Sequence, residues 1–197
     1  MNNITLAGEV SSITVTGEKV EFVMAVKRLS DTIDYINCSS GIHIMNDVMN
    51  GEKITCYGEV RTVNYKGDDE KSHLKVYVHV NIIAPYEGED KNNVTVQGFL
   101  CKEANYRFTP YNREICDLII ASNRNSQGSD YIPCIAWSKY AKRMSRLYVG
   151  EGVNITGRLQ SREYEKRYEH GVVEIKTAYE ISITKFSKWG GNRENVG

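Results

Sequence analysis

The chain has 197 residues, room for one large domain or two of about 100 residues each. Hydrophobic residues make up 41%, and 25 Lys+Arg balance 25 Asp+Glu, which excludes wholesale disorder and a bulk polycation. Any polyanion must be held by a local patch. The charge is unevenly divided: residues 1–91 carry 9 Lys+Arg and 14 Asp+Glu, net −5, and residues 92–197 carry 16 and 11, net +5. A polyanion site is therefore expected in the second half.

Five cysteines, Cys38, Cys56, Cys101, Cys116 and Cys134, form no CxxC pair, and no histidine stands close enough to complete a zinc knuckle. An odd, scattered set fits reduced thiols in a cytoplasm-like compartment. The opening MNNITLAGEV lacks the basic-then-apolar order of a signal peptide, and no run of about 18 apolar residues is present. The expectation is a cytoplasmic protein without a membrane segment.

Taken in order, the chain is written twice. NITLAG at Asn3 returns as NVTVQG at Asn93, and FVMAVKR at Phe22 as LIIASNR at Leu118. DYINC at Asp34 returns as DYIPC at Asp130, and GEKITCYGEV at Gly51 as GEGVNITGRL at Gly150. Four similar segments in the same order indicate duplication, with spacing that drifts as loop insertions allow.

Each copy supplies about five strands. The first ends in a turn near Thr16–Lys19 or near Thr109–Asn112, a second follows, and a third starts at Asp34 or Asp130. A short helix comes next. In the second copy Ala141, Met144, Leu147 and Tyr148 make one apolar stripe; in the first, Ile42–Met49 ends at Asn50-Gly51. A fourth strand starts after each glycine, and the last strands alternate, Leu74 to Ile82 and Val173 to Ile183. Strands with one helix between the third and fourth predict an all-β fold with short helices: two tandem five-stranded Greek-key OB-fold barrels. The expected division is 1–87 for the first barrel, 88–92 for a linker, 93–187 for the second barrel and 188–197 for a flexible tail.

Side chains of a strand alternate sides, so parity separates core from open face. Along 153–164, Val153, Ile155, Gly157 and Leu159 go inward, leaving Arg158, Gln160, Arg162 and Tyr164 on the other side. Along 130–137, Ile132, Cys134 and Ala136 go inward, leaving Tyr131, Pro133, Ile135 and Trp137 outward. Guanidiniums pair with phosphates or stack on bases, and aromatic rings offer stacking platforms. Aromatic rings on both faces of a strand also suit a core or a subunit interface. The two arginines beside Trp137 favour binding, because Glu163 and Glu165 fall on the opposite parity and leave them without acid partners.

The segments NVTVQGFL, YRFTPYNREICDLIIASNR, DYIPCIAWSKYAKRM and VGEGVNITGRLQSREYE, which span nearly all of 92–186, resemble the bacterial single-stranded DNA-binding protein family. The resemblance implies an OB barrel over which single-stranded DNA runs on aromatic and basic residues. It places stacking on Tyr131, Trp137 and Tyr164 and a hairpin arginine at Arg107. Arg113, Arg124, Lys139, Arg158 and Arg162 are expected to track phosphates, with Gln160 beside them.

The first copy is a diverged relative. Gly41 stands where Trp137 does, and Glu59 and Val63 replace Arg158 and Arg162. Tyr35, Tyr65 and Arg61 leave it a secondary, weaker face. Family members usually assemble four OB domains, so a homodimer is implied. Many end in an acidic tail that recruits replication and repair enzymes; Gly190–Gly197 has no acidic tip, which puts partner recruitment by that route in doubt.

Nothing points to catalysis, a metal or a cofactor. The one dense acidic run, Asp68-Asp69-Glu70, reads as a solvated turn, the four histidines are isolated, and no glycine-rich phosphate loop occurs. The expected function is non-enzymatic binding of single-stranded DNA, with little sequence preference, in replication, recombination or repair. An OB-fold assembly factor of primosome type and a single-stranded RNA binder are the alternatives, since stacking alone does not distinguish RNA from DNA.

Overall fold

The computed structural model describes residues 1–67, 70–167, 171 and 173–189. The first copy folds as β1 (Asn2–Thr16), β2 (Lys19–Lys27), β3 (Ile33–Gly41), α1 (Ile42–Met45), β4 (Lys53–Lys66) and β5 (Ser72–Pro85). The second folds as β6 (Lys91–Leu100), β7 (Asn105–Phe108), β8 (Glu114–Asn123), β9 (Ser129–Trp137), α2 (Lys139–Met144), β10 (Gly152–Arg167) and β11 (Val173–Trp189).

Each copy closes on itself. The sheet order β2-β3-β5-β4-β1 is completed by β2–β1 pairing, and β6-β10-β11-β9-β8 by β6–β8 pairing. Among the described residues the parallel contacts are β3 with β5 and β9 with β11, as a five-stranded Greek-key barrel with a helix after its third strand requires. β7 is an extra short strand on β8. In the first copy the same chain runs on as one long β1, shifted in register between Val10 and Ser12.

The closure devices repeat with the sequence. A Cβ on Gly8 would lie 2.4 Å from the Ala25 carbonyl oxygen, and one on Gly98 equally close to that of Ala121. At the bulges in β4 and β10, a Cβ on Gly58 or Gly157 would stand 2.1 or 2.2 Å from a carbonyl oxygen of the last strand. Glycine is needed where two backbones approach this closely. The apolar strand faces fill both interiors, including Ile4, Leu6, Met24 and Ile36 in the first and Val96, Leu118, Ile132 and Leu159 in the second. Cys38, Cys56, Cys116 and Cys134 are buried free thiols, and burial pushes Cys56 up to about 12 and Cys116 to about 11.

The barrels are joined edge to edge. β1 and β6 pair antiparallel from Asn2 opposite Val96 to Ala7 opposite Lys91, so one sheet of 11 strands runs through both. The join is nearly two-fold symmetric. The Asn2 side chain donates to the Val60 carbonyl at 2.7 Å and accepts from its N–H at 3.0 Å; Asn92 does the same with Leu159 at 2.7 and 2.9 Å.

Three boundaries differ from the sequence reading. Lys91 and Asn92 are not linker but the start of β6, because their backbones pair with β1 despite their polarity. Lys188 and Trp189 are not tail: β11 extends to Trp189, whose ring packs 5.1 Å from that of Phe99. Helix α1 is one turn, not eight residues, and Tyr148 leaves the apolar stripe, lying 77% exposed while Ala141, Met144 and Leu147 are buried. Asp68, Asp69 and residues 190–197 lie outside the described residues.

Candidate nucleic-acid interface

Residues paired across a sheet share a face, so register builds the outer surface of the second barrel row by row. Arg107 on β7 stands opposite Ile115 on β8, which stands opposite Trp137 on β9. The next row holds Asn105, Asp117 and Ile135, then crosses to Ser182 on β11 and Arg158 on β10. On β10 and β11 it continues with Gln160 opposite Glu180, Arg162 opposite Ala178 and Tyr164 opposite Lys176. Tyr131 lies at the far end of β9, opposite Ala121.

Rings and guanidiniums therefore share this one face. Tyr131 and Tyr164 are 48% and 39% exposed, and Trp137 is half-buried. The Arg162 guanidinium sits 5.8 Å from the Tyr164 ring centroid. Arg107 donates to Asp117 at 2.6 Å and stays half-exposed. Arg113 is exposed in the turn before β8, its backbone N–H donating to the Thr109 hydroxyl at 3.1 Å. Lys139 is exposed at the start of α2, 5.2 Å from the ring of Tyr140. Arg158 is the odd one: its Nε is buried without a hydrogen-bond partner among the described residues, and its terminal nitrogen reaches Gln160 Oε1 only at 3.4 Å. Burial, and then the like charge of Arg28, push its pKa down against the pull of Asp34.

Two arginines expected on open faces, Arg124 on this one and Arg61 on the weaker face of the first barrel, lie elsewhere. Arg124 donates through Nε and Nη2 to the buried carboxylate of Asp130 at 3.0 and 2.7 Å. Arg61 of the first barrel donates to the same carboxylate at 2.9 Å and to Glu59. Both guanidiniums thus lie in the seam between barrels. The Thr62 N–H also donates to Asp130, at 2.8 Å, and the Tyr131 N–H to the Thr62 hydroxyl at 2.8 Å. Burial would raise the Asp130 carboxyl, but the bonds from Arg124, Thr62 and Arg61 together hold it below its ordinary value.

The symmetry-related seam is built on Asp34, which accepts from Arg28 Nε at 2.7 Å and from the Ser161 N–H at 3.1 Å. Gln160 and Ile135 face outward as expected but differ in exposure from an open face. Both are on the outer face but buried, 6% and 4% exposed, and the Gln160 amide donates to Glu180 Oε1 at 3.0 Å.

Glu180 was missed. On β11 the positions that alternate with the apolar residues, Glu180 and Ser182, are those that face outward with Arg158 and Gln160. Glu180 supplies an acid for Arg162, whose Nε lies 3.7 Å away, so the arginines are not without carboxylates as expected. On the first barrel, Tyr35 and Tyr65 are 51% and 52% exposed, while Gly41 leaves the Trp137 position empty of a ring. Among the described residues no group of three His, Cys, Asp or Glu side chains is placed to hold a metal, and no helix is long and apolar enough to cross a membrane.

Two closed OB barrels in tandem, with rings and guanidiniums gathered on the outer face of the second, define a tandem OB-fold protein. Residues 91–188 match the model of the single-strand binding protein family, and through this barrel the chain belongs to that family. It is 34% identical over 83 residues to single-stranded DNA-binding protein 3 of Streptococcus agalactiae, covering 39% of this chain and 60% of that one. It is 35% identical over 81 residues to single-stranded DNA-binding protein 2 of Listeria innocua, covering 38% and 51%. The match thus spans between half and two thirds of the length of these curated relatives. The wild-type single-stranded DNA binding protein of Thermus aquaticus has the same fold over 100% of this chain and 97% of its own, with TM-score 0.76 at 19% identity.

Proposed function

We propose that the protein binds single-stranded DNA with little sequence preference and without catalysis, covering it during replication, recombination or repair. The observation that carries this reading is the shared face of Tyr131, Trp137, Tyr164, Arg107, Arg158 and Arg162 on a barrel of the single-strand binding protein family. Bases stack on the three rings, at about 1–3 kcal/mol per base. Arg107, Arg158 and Arg162 meet phosphates on that face, and Arg113 and Lys139 extend the basic track from the turn and the helix. Arg124 and Gln160 act indirectly, the first by fixing the end of β9 and the second by holding Glu180. Tyr35 and Tyr65 give the first barrel a weaker face, and Arg61 supports it from the seam. A homodimer would bring four barrels together in a cytoplasmic protein. Within one chain, two are already joined through β1 and β6.

A fluorescence titration with oligo-dT and oligo-U at two salt concentrations tests this. Tryptophan emission should be quenched by dT more strongly than by U, and higher salt should weaken binding, because bound phosphates release counterions. Trp189 is a second fluorophore, so the titration uses a Trp189→Phe background. Absence of dT binding at low salt would sink the proposal, and stronger binding of U would redirect it to RNA.

A further inference from the structure

The outer face of the second barrel holds a cleft of about 390 Å³ between β7, β8, β9 and the β10–β11 pair, lined by Arg107, Asp117, Ile119, Pro133, Arg162 and Glu180 among others. Its charges are layered. The cations form the rim, with Arg162 and Arg107 side chains 52% and 45% exposed. Two carboxylates form the floor, with Glu180 and Asp117 side chains 11% and 33% exposed, while Lys102 and Glu103, both exposed, add one charge of each sign at the edge. A phosphate is attracted to this rim and repelled by this floor. A nucleotide therefore enters with its phosphate outward and its base inward, over the apolar Ile119 and Pro133.

The base that fits must bring hydrogen-bond donors, because a carboxylate only accepts. Glu180 Oε1 already accepts from Gln160 at 3.0 Å. Among the described residues Oε2 has no partner. Cytosine presents an amino group at N4, which carboxylates accept from, whereas thymine presents a carbonyl at the same place. We infer that this cleft is a base-selective subsite in which Glu180, supported by Asp117, accepts a hydrogen bond from the exocyclic amino group of a base such as cytosine and disfavours thymine, which has none. The inference rests on the proposed single-stranded DNA binding and adds a modest base preference to it.

Oligo-dC and oligo-dT of equal length, each carrying a 5′ dye, are titrated by anisotropy with the full chain, with Glu180→Gln and with Asp117→Asn. Glutamine keeps the shape and a carbonyl acceptor but removes the charge that repels the thymine carbonyl. The ratio of dC to dT affinity should fall about fivefold in Glu180→Gln, chiefly because dT binds more tightly. It should move in the same direction, by less, in Asp117→Asn. A carboxylate that merely orients Arg162 predicts equal changes for both oligonucleotides, and an unchanged ratio in both variants overturns the inference. If the wild-type chain binds neither oligonucleotide, the proposed function itself fails; if it binds both but the ratio stays fixed, only the base-selective cleft fails.

Discussion

The two barrels keep the same closure glycines, the same bulge in the fourth strand and the same Asp-Tyr-Ile at the start of the third. They part company on their outer faces. Trp137 faces out where the first barrel has Gly41, and Arg158 and Arg162 stand where it has Glu59 and Val63. The seams between them diverge in the same sense. Around Asp130, Arg124 and Arg61 are balanced by Asp130 itself and Glu59. Around Asp34, Arg28 is matched but Arg158 adds a cation with no acid in bonding reach among the described residues. What closes and joins the barrels has been held in both copies, while the surface that folding does not need has been free to specialise in one.

Cutting the more heavily bonded seam should have the largest effect. Asp130 is 1% exposed and accepts from Arg124, Arg61 and the Thr62 N–H. Asp130→Ala leaves two part-buried guanidiniums without the carboxylate they share and should cost about 3–5 kcal/mol in urea unfolding. Asp34→Ala should cost less, since Asp34 holds only one arginine and one backbone N–H from the other barrel. Equal costs would mean that the seams are equivalent and that their charge difference is incidental. Next comes Trp137→Ala, which should weaken oligo-dT binding by about 1–3 kcal/mol while leaving the fold intact. Unchanged anisotropy titrations would remove the main distinction drawn between the outer faces.

Much of this was legible in the sequence because duplication shows the fold twice. Strand parity placed Trp137, Tyr131, Arg158, Arg162 and Tyr164 on the outer side, and register puts them there. The seam was not legible, because parity says which way a residue points and not which barrel surfaces meet. A signal existed: Arg28 precedes Asp34 by six residues, as Arg124 precedes Asp130, and Thr62 and Ser161 supply hydroxyls at matching places. An arginine-aspartate pair repeated at fixed spacing reads as structural rather than as part of a phosphate track. Glu180 escaped because its placement opposite Gln160 depends on the length of the β10–β11 hairpin. Trp189 escaped because the glycines after it suggested a loose end, whereas Phe99 gives it a packing partner.

Acid should test the Asp130 seam more gently. The folded state holds this carboxyl below its ordinary 3.8. Its ion-pair stabilisation is thus complete above the unfolded value and is lost as pH falls through the lower folded one. Melting temperature should therefore decline below about pH 4, and Asp130→Asn should show a shallower acid limb. A steeper limb in the variant would contradict the pairing. The effect should be smaller than that of Asp130→Ala, because a protonated carboxyl still fills the site and accepts some of its hydrogen bonds.

The smallest expected effect is the most direct test of what the tryptophan does. Gly41 has φ −74° and ψ 148°, extended backbone open to any residue. A Cβ there would come 2.5 Å from His43 Cε1, the far end of a side chain that can turn away. Gly41→Trp should therefore fold and place a ring where the second barrel has one. It should tighten oligo-dT binding by only about twofold, less than one full stacking interaction, because the ring would stand in a half-chain of net −5 without the arginines of the second barrel. Adding Val63→Arg, at an exposed position matching Arg162, should then give a gain larger than the two single changes combined, if ring and charge act on the same strand of DNA. A tenfold gain from Gly41→Trp alone would mean that stacking by itself decides which barrel binds, and that the arginines of the second barrel only refine it.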